Sequence, residues 1–170
     1  MKSSEEGKLQ RQRTSFPDVT KGMRQRRFGG PAVSPQEGGD CWATAVASYA
    51  GLGTHSRNEL QRRIVLSDLA LKRHGKDPQE GSNWWNVTLR FLWAHGLRSI
   101  GVADSTKLDP IAVYIASGPG PRGLEHSVLV FGDGTLYSDP HPSGEGLIEI
   151  TEWIGWWHTA ETGSKHYALS

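Results

Sequence analysis

"HSVLVFGDGTLYSDP", residues 126–140, decides what kind of fold this chain can form. An apolar run stops at Gly-Asp-Gly-Thr (132–135) and gives way to a second β-rich run ending in Asp-Pro. Two such runs around a central Asp133-Gly134 form a hairpin signal, because glycine supplies the positive φ that a tight turn needs. A hairpin is antiparallel, so residues of its two arms lie across from each other. His126 lies seven residues before Asp133, and Asp139 lies five residues after Gly134. The two become cross-strand neighbours with a stagger of about two residues, inside side-chain hydrogen-bonding reach.

Working outward, "RSIGVA" (98–103), "AVYIAS" (112–117) and "GLIEI" (146–150) are further short β-rich runs broken by Gly, Pro and Asp. They extend the hairpin into an antiparallel meander. Upstream of residue 98 the period is helical. "CWATAVASYAGLG" (41–53) reads as a short helix stopped by Gly51 and Gly53, its alanines allowing another element to approach closely. "SRNE" (56–59) has the form of a capping box and predicts a second helix over about 57–73, with Leu60, Ile64, Leu66 and Leu69 as its apolar face. "GSNWWNVTLRFLWAHGL" (81–97) predicts a third, in which Trp85, Leu89, Leu92 and Trp93 form a packing stripe and Gly96 is the stop. Helices followed by strands make an α+β domain, with N-terminal helices packed on an antiparallel β-sheet. The end, "EWIGWWHTAETGSKHYALS" (152–170), reads as a short helix and then a frayed tail over 161–170.

Composition places limits on function. The 170 residues fit one domain, and mean hydropathy is −0.51. No run reaches the roughly 18–20 apolar residues that a membrane span needs. No secretory signal is visible at the charged N-terminus, and the single cysteine forms no internal disulfide. A cytoplasmic location without membrane association is the expectation. Net charge is +1, yet residues 1–30 carry eight Lys or Arg against three acids, leaving the rest of the chain net acidic. Residues 1–33 therefore read as a flexible basic tail ahead of a domain spanning 34–160. Nucleic acid would be reached through that tail alone, since the domain itself is not basic.

The single cysteine opens the first predicted helix. Orphan N–H groups and the helix dipole favour an anion there, so a Cys41 thiolate is stabilised. The same N–H groups can donate to an oxyanion formed beside the sulfur. A cysteine hydrolase also needs a base and a group to orient it, roles that His126 and Asp139 fit. Gln36, five residues before Cys41, can offer a side-chain N–H to the oxyanion. Other readings of these residues stay open. Cys41 alone fits a buried thiol, and Asp139 before Pro140 fits a turn residue. His141 with His126 and Asp139 would make a two-His-one-carboxylate metal set, or His141 lines a substrate cleft. "GPGPRG" (118–123) matches G-x-G-x-x-G, but two prolines interrupt it and a strand follows, so no dinucleotide loop is read there. Arg122 in that loop is a candidate substrate contact. Trp42 either packs beneath its helix or touches substrate.

"QEGGDCWATA" (36–45) resembles the active-site segment of papain-like cysteine proteases, where a glutamine, a glycine and Cys-Trp-Ala open the central helix. "HSVLVFGDGTLYSDP" resembles the His-strand-turn-strand-Asp-Pro segment of the bacteriocin-leader-processing peptidases, which share that fold. Residues 114–147 are also similar to uncharacterised papain-like proteins of actinobacteria and tailed phages. The resemblance covers about residues 34–150. It implies a papain-like fold, with Cys41 as nucleophile, His126 as base, Asp139 as orienter and Gln36 as oxyanion donor. The implied activity is hydrolysis of an amide bond in a protein or peptide substrate, with no cofactor and no metal, and a phage-associated role. Deamidation or transglutamination would use the same triad. A degenerate site that serves as a binding module for a partner protein is the other alternative. Gln36 stands one residue closer to the cysteine than that family usually has it, and Asp40 places a carboxylate beside the thiol.

Overall fold

The computed structural model describes residues 19, 22–25, 39–75 and 83–156, with only the backbone of Asn83. Among them are three helices, α1 (Cys41–Tyr49), α2 (Thr54–Arg73) and α3 (Asn83–Ala94), and five strands. The strands are β1 (Ile100–Val102), β2 (Val113–Pro119), β3 (Glu125–Phe131), β4 (Leu136–Ser138) and β5 (Glu152–Trp156). They form one antiparallel sheet in the order β1-β5-β2-β3-β4. The protein is therefore α+β, as the order of sequence patterns predicts. No helix among the described residues is long and apolar enough to cross a membrane.

α1 is buried along nearly its whole length, with Ala43, Ala45 and Ala47 fully enclosed. It packs on β2 and β3 on one side and on α2 on another, and only small side chains allow such approaches. It ends where predicted. Gly51 has φ +69°, and Leu52 N–H donates back to the Ala47 carbonyl oxygen at 2.8 Å.

α2 begins a turn earlier than the capping-box reading, with Gly53 in extended conformation at its N-cap. Ser56 thus lies inside the first turn, and Glu59 pairs with Arg63 at 2.7 Å on the helix surface instead of reaching back to a cap. Leu60 is fully buried and Ile64 packs on the core, whereas Leu66 is off that stripe and exposed. The same correction applies to α3. Trp85, Leu89 and Leu92 are core, joined by Phe91, while Trp93 is 73% exposed. The buried arc of α3 centres on the Thr88 side, and Trp93 falls outside it.

The largest departure is at the C-terminal end. Glu152–Trp156, expected to be helical, is a strand in the middle of the sheet. Its residues pair with both β1 and β2, Ile154 standing opposite Val102 and Ile115. Trp156 N–H donates to the Tyr49 hydroxyl at 3.0 Å, and the two rings stack at 5.0 Å. "GLIEI" is not a strand. It is an irregular connection whose Leu147 and Ile150 cover Ala116, Val128 and Val130 on the sheet face opposite the main core. The predicted meander is real for β2-β3-β4 and is broken by β5, which inserts between β1 and β2.

Val19 packs on the core, and Met23 and Gln25 are buried, so these stretches of the segment read as a flexible tail lie on the domain. The rest of 1–33 and the tail 161–170 lie outside the described residues.

Gly118 is held where β2 meets the connection before β5. A Cβ there would sit 2.2 Å from the Glu149 carbonyl oxygen. Gly118→Ala should therefore push the connection off β2 and cost about 1–3 kcal/mol, read as a lower denaturation midpoint. An unchanged midpoint would contradict this close approach.

Candidate active site

The Asp133-Gly134 turn forms as predicted, with Gly134 at φ +90° and Phe131 N–H donating to the Thr135 carbonyl oxygen at 2.8 Å. β3 and β4 then pair with Leu129 opposite Ser138 and Val130 opposite Leu136, so Tyr137 is an extra, bulged residue. Continuing that register sets Asp139 opposite Val128, two residues from His126. The imidazole bridges that stagger. His126 Nε2 lies 2.7 Å from Asp139 Oδ1, with both side chains buried.

Asp139 is fixed by more than the imidazole. Oδ1 also accepts the His141 backbone N–H at 2.8 Å, and Oδ2 accepts that of Gly146 at 2.8 Å. Burial works against the Asp139 carboxylate. The bonds from His126, Gly146 and His141 outweigh it and hold its pKa below the usual carboxylate value. Asp139 therefore carries its charge at neutral pH.

Cys41 completes the arrangement at the first position of α1, partly exposed. Its thiol stands near enough to the imidazole to be one of the groups that raise the His126 pKa. Burial is the largest influence on His126 and lowers its pKa. The bond to Asp139 and the nearby Cys41, with their charges, reverse that and raise it from 6.5 to about 9. Three residues from α1, β3 and the loop after β4 thus form a Cys–His–Asp chain.

The remaining candidates are placed as follows. Gln36 lies outside the described residues. Asp40 is buried at the N-cap of α1 but makes no side-chain capping bond to the helix. Trp42 turns toward α3: its Nε1 donates to Thr88 Oγ1 at 3.0 Å, and its ring meets Trp84 edge-on at 4.8 Å. It packs between helices, the first of the two readings. Arg122 reaches Ser143 Oγ at 3.2 Å and Glu145 Oε2 at 3.4 Å, tying its loop to the one after Asp139.

His141 stands edge-on to His126, ring centres 6.4 Å apart. Its Nδ1 accepts the Ser143 backbone N–H at 3.1 Å and meets the Ser143 hydroxyl at 2.8 Å. Slight burial and the nearby Arg122 charge lower its pKa, so it is the neutral imidazole of the pair. Ser143 occupies Nδ1 of His141. Among the described residues no group of three or more His, Cys, Asp or Glu side chains is arranged to hold a metal ion. Arg24, which no motif marked, reaches the backbone behind Asp139.

Comparison with protein-family models, with curated proteins and with solved structures finds no match to this chain.

The raised His126 pKa fixes a sign. A group protonated more tightly in the folded state contributes stability that is fully present below pH 6.5 and lost as pH rises through about 9. NMR titration of the His126 ring should give a midpoint near 9, and Asp139→Ala should move it down. A midpoint near the ordinary value in the unsubstituted protein would contradict the geometry.

Proposed function

We propose that this chain is a thiol-dependent amide hydrolase of papain-like fold, acting most simply on a peptide bond. One observation carries the reading: a cysteine at a helix start beside a histidine whose Nε2 is held by a buried carboxylate at 2.7 Å. A structural thiol does not require that third member. Nucleophilic catalysis does, because the carboxylate fixes ring orientation and stabilises the imidazolium that forms.

The chemistry follows from the placement. Proton transfer from Cys41 Sγ to His126 leaves a thiolate beside an imidazolium. The sulfur attacks the amide carbonyl carbon, forming a C–S bond and placing charge on the oxygen. Backbone N–H groups of the first turn of α1 lack intrahelical acceptors and carry the positive end of the helix dipole, so they suit that oxyanion. As the C–N bond breaks, His126 gives its proton to the leaving amine. Water then attacks the thioester while His126 accepts its proton, and the carboxylic acid departs from Sγ. A His126 pKa of about 9 keeps the acid form present at neutral pH, where the leaving amine needs it.

Activity against a peptide library, read by mass spectrometry, should fall on the order of 10⁴-fold or more in Cys41→Ala, with NMR dispersion unchanged. The high-pH limb of the profile should decline through about 9 as His126 loses its proton. Glutamine converted to glutamate without chain scission would move the reading to deamidation on the same triad. Full activity in Cys41→Ala would end it.

A further inference from the structure

The backbone at Asp139 is held by a short segment from far upstream. Arg24 Nη1 donates to the Asp139 carbonyl oxygen at 2.8 Å and contacts that of His141 at 3.4 Å. Gln25 N–H donates to the Pro140 carbonyl oxygen at 3.0 Å, so three consecutive carbonyls of this loop are engaged from one side. The segment is anchored in turn. Met23 and Gln25 are buried, and Arg57, a 3%-exposed arginine of α2, donates through Nη1 to the Arg24 carbonyl oxygen. Arg57 Nε is held by Asn58 Oδ1 at 3.0 Å, which sets the guanidinium's direction. None of these contacts touches the imidazole or the sulfur.

A carboxylate is useful as an orienter only while its backbone stays in place. Pro140 follows Asp139 and has no N–H, so it cannot donate a bond that would fix the loop from within. The segment at 22–25 adds, from outside, a restraint on the backbone carbonyls to the bonds that the His141 and Gly146 N–H groups make to the carboxylate. We infer that Arg24 and Arg57 are positioning residues for the His126–Asp139 pair: Arg57 anchors residues 22–25 to α2, and Arg24 holds the Asp139–His141 backbone so that the carboxylate stays on the imidazole. This rests on the reading of that pair as the base and orienter of Cys41.

The sign of the effect separates positioning from charge. The titratable groups that act on His126 are Asp139 on the loop after β4 and Cys41 on α1, while His141 on the same loop feels the His126 charge. Arg122 and Glu145 stand one step further out, acting on His141. Removing a nearby cation by itself would favour the imidazolium and raise the His126 midpoint. Releasing the loop would loosen the Asp139 bond and lower it.

The experiment is NMR titration of the His126 ring in the full chain, alongside the rate at which iodoacetamide alkylates Cys41. Arg24 is exposed, so Arg24→Ala should fold. Its midpoint should drop by about one pH unit, a tenfold loss of proton affinity, and alkylation at neutral pH should slow. Arg24→Lys, which keeps a cationic donor, should recover most of the shift, and the surface variant Lys107→Ala should show none. An unchanged or raised midpoint in Arg24→Ala would overturn the inference. If the midpoint drops as expected while Cys41 of the unsubstituted protein reacts no faster than free cysteine, the positioning role stands and the hydrolase reading fails.

Discussion

The carboxylate of Asp139 is the constraint on which the rest of the site depends. It accepts three hydrogen bonds, from the His126 ring and from the backbone of His141 and Gly146, while nearly all of it is withdrawn from water. A buried charge is tolerable only when it is paired and fully bonded, so the loop must close around it. That requirement links three parts of the chain. The hairpin brings Asp139 beside β3, the connection to β5 returns at Gly146, and the first turn of α1 brings Cys41 near the imidazole.

The two halves of the domain meet at this point for separate reasons. α1 is placed by its alanines, which fit between the sheet and α2, so the position of Cys41 is a matter of core packing. His126 and Asp139 are placed by strand register and by the bulge at Tyr137, a matter of backbone hydrogen bonding. Only their convergence brings a thiol, an imidazole and a carboxylate to one place. This is why the thiol, the imidazole and the carboxylate each have an ordinary structural reading when taken singly.

The local part of this arrangement was legible in the sequence. Asp133-Gly134 marked the turn, and counting from it placed His126 and Asp139 two residues apart across the hairpin, where the structure has them. Gly51 and the alanine run marked the end and the tight environment of α1. The non-local part was not legible. Glu152–Trp156 is a strand because a neighbour on either side supplies its hydrogen bonds, and Gly155 lies tight against the Tyr114 ring, where a Cβ would sit at 3.1 Å. The Trp-Ile-Gly-Trp composition was the available β signal, and the adjoining polar tail masked it. Ser56 and Glu59 have capping-box spacing, yet the helix gained a further turn once Thr54 and His55 joined it. Arg24 gave no sign at all, since its partners are backbone carbonyls more than a hundred residues away.

The central claim is that His126 and Asp139 make Cys41 a nucleophile, and its most direct test is the rate of Cys41 alkylation at neutral pH, with and without the histidine. The account predicts that Cys41 reacts with iodoacetamide faster than free cysteine, and that His126→Ala returns it to the rate of an ordinary thiol. Equal rates in the two proteins, at or below that of free cysteine, would contradict it.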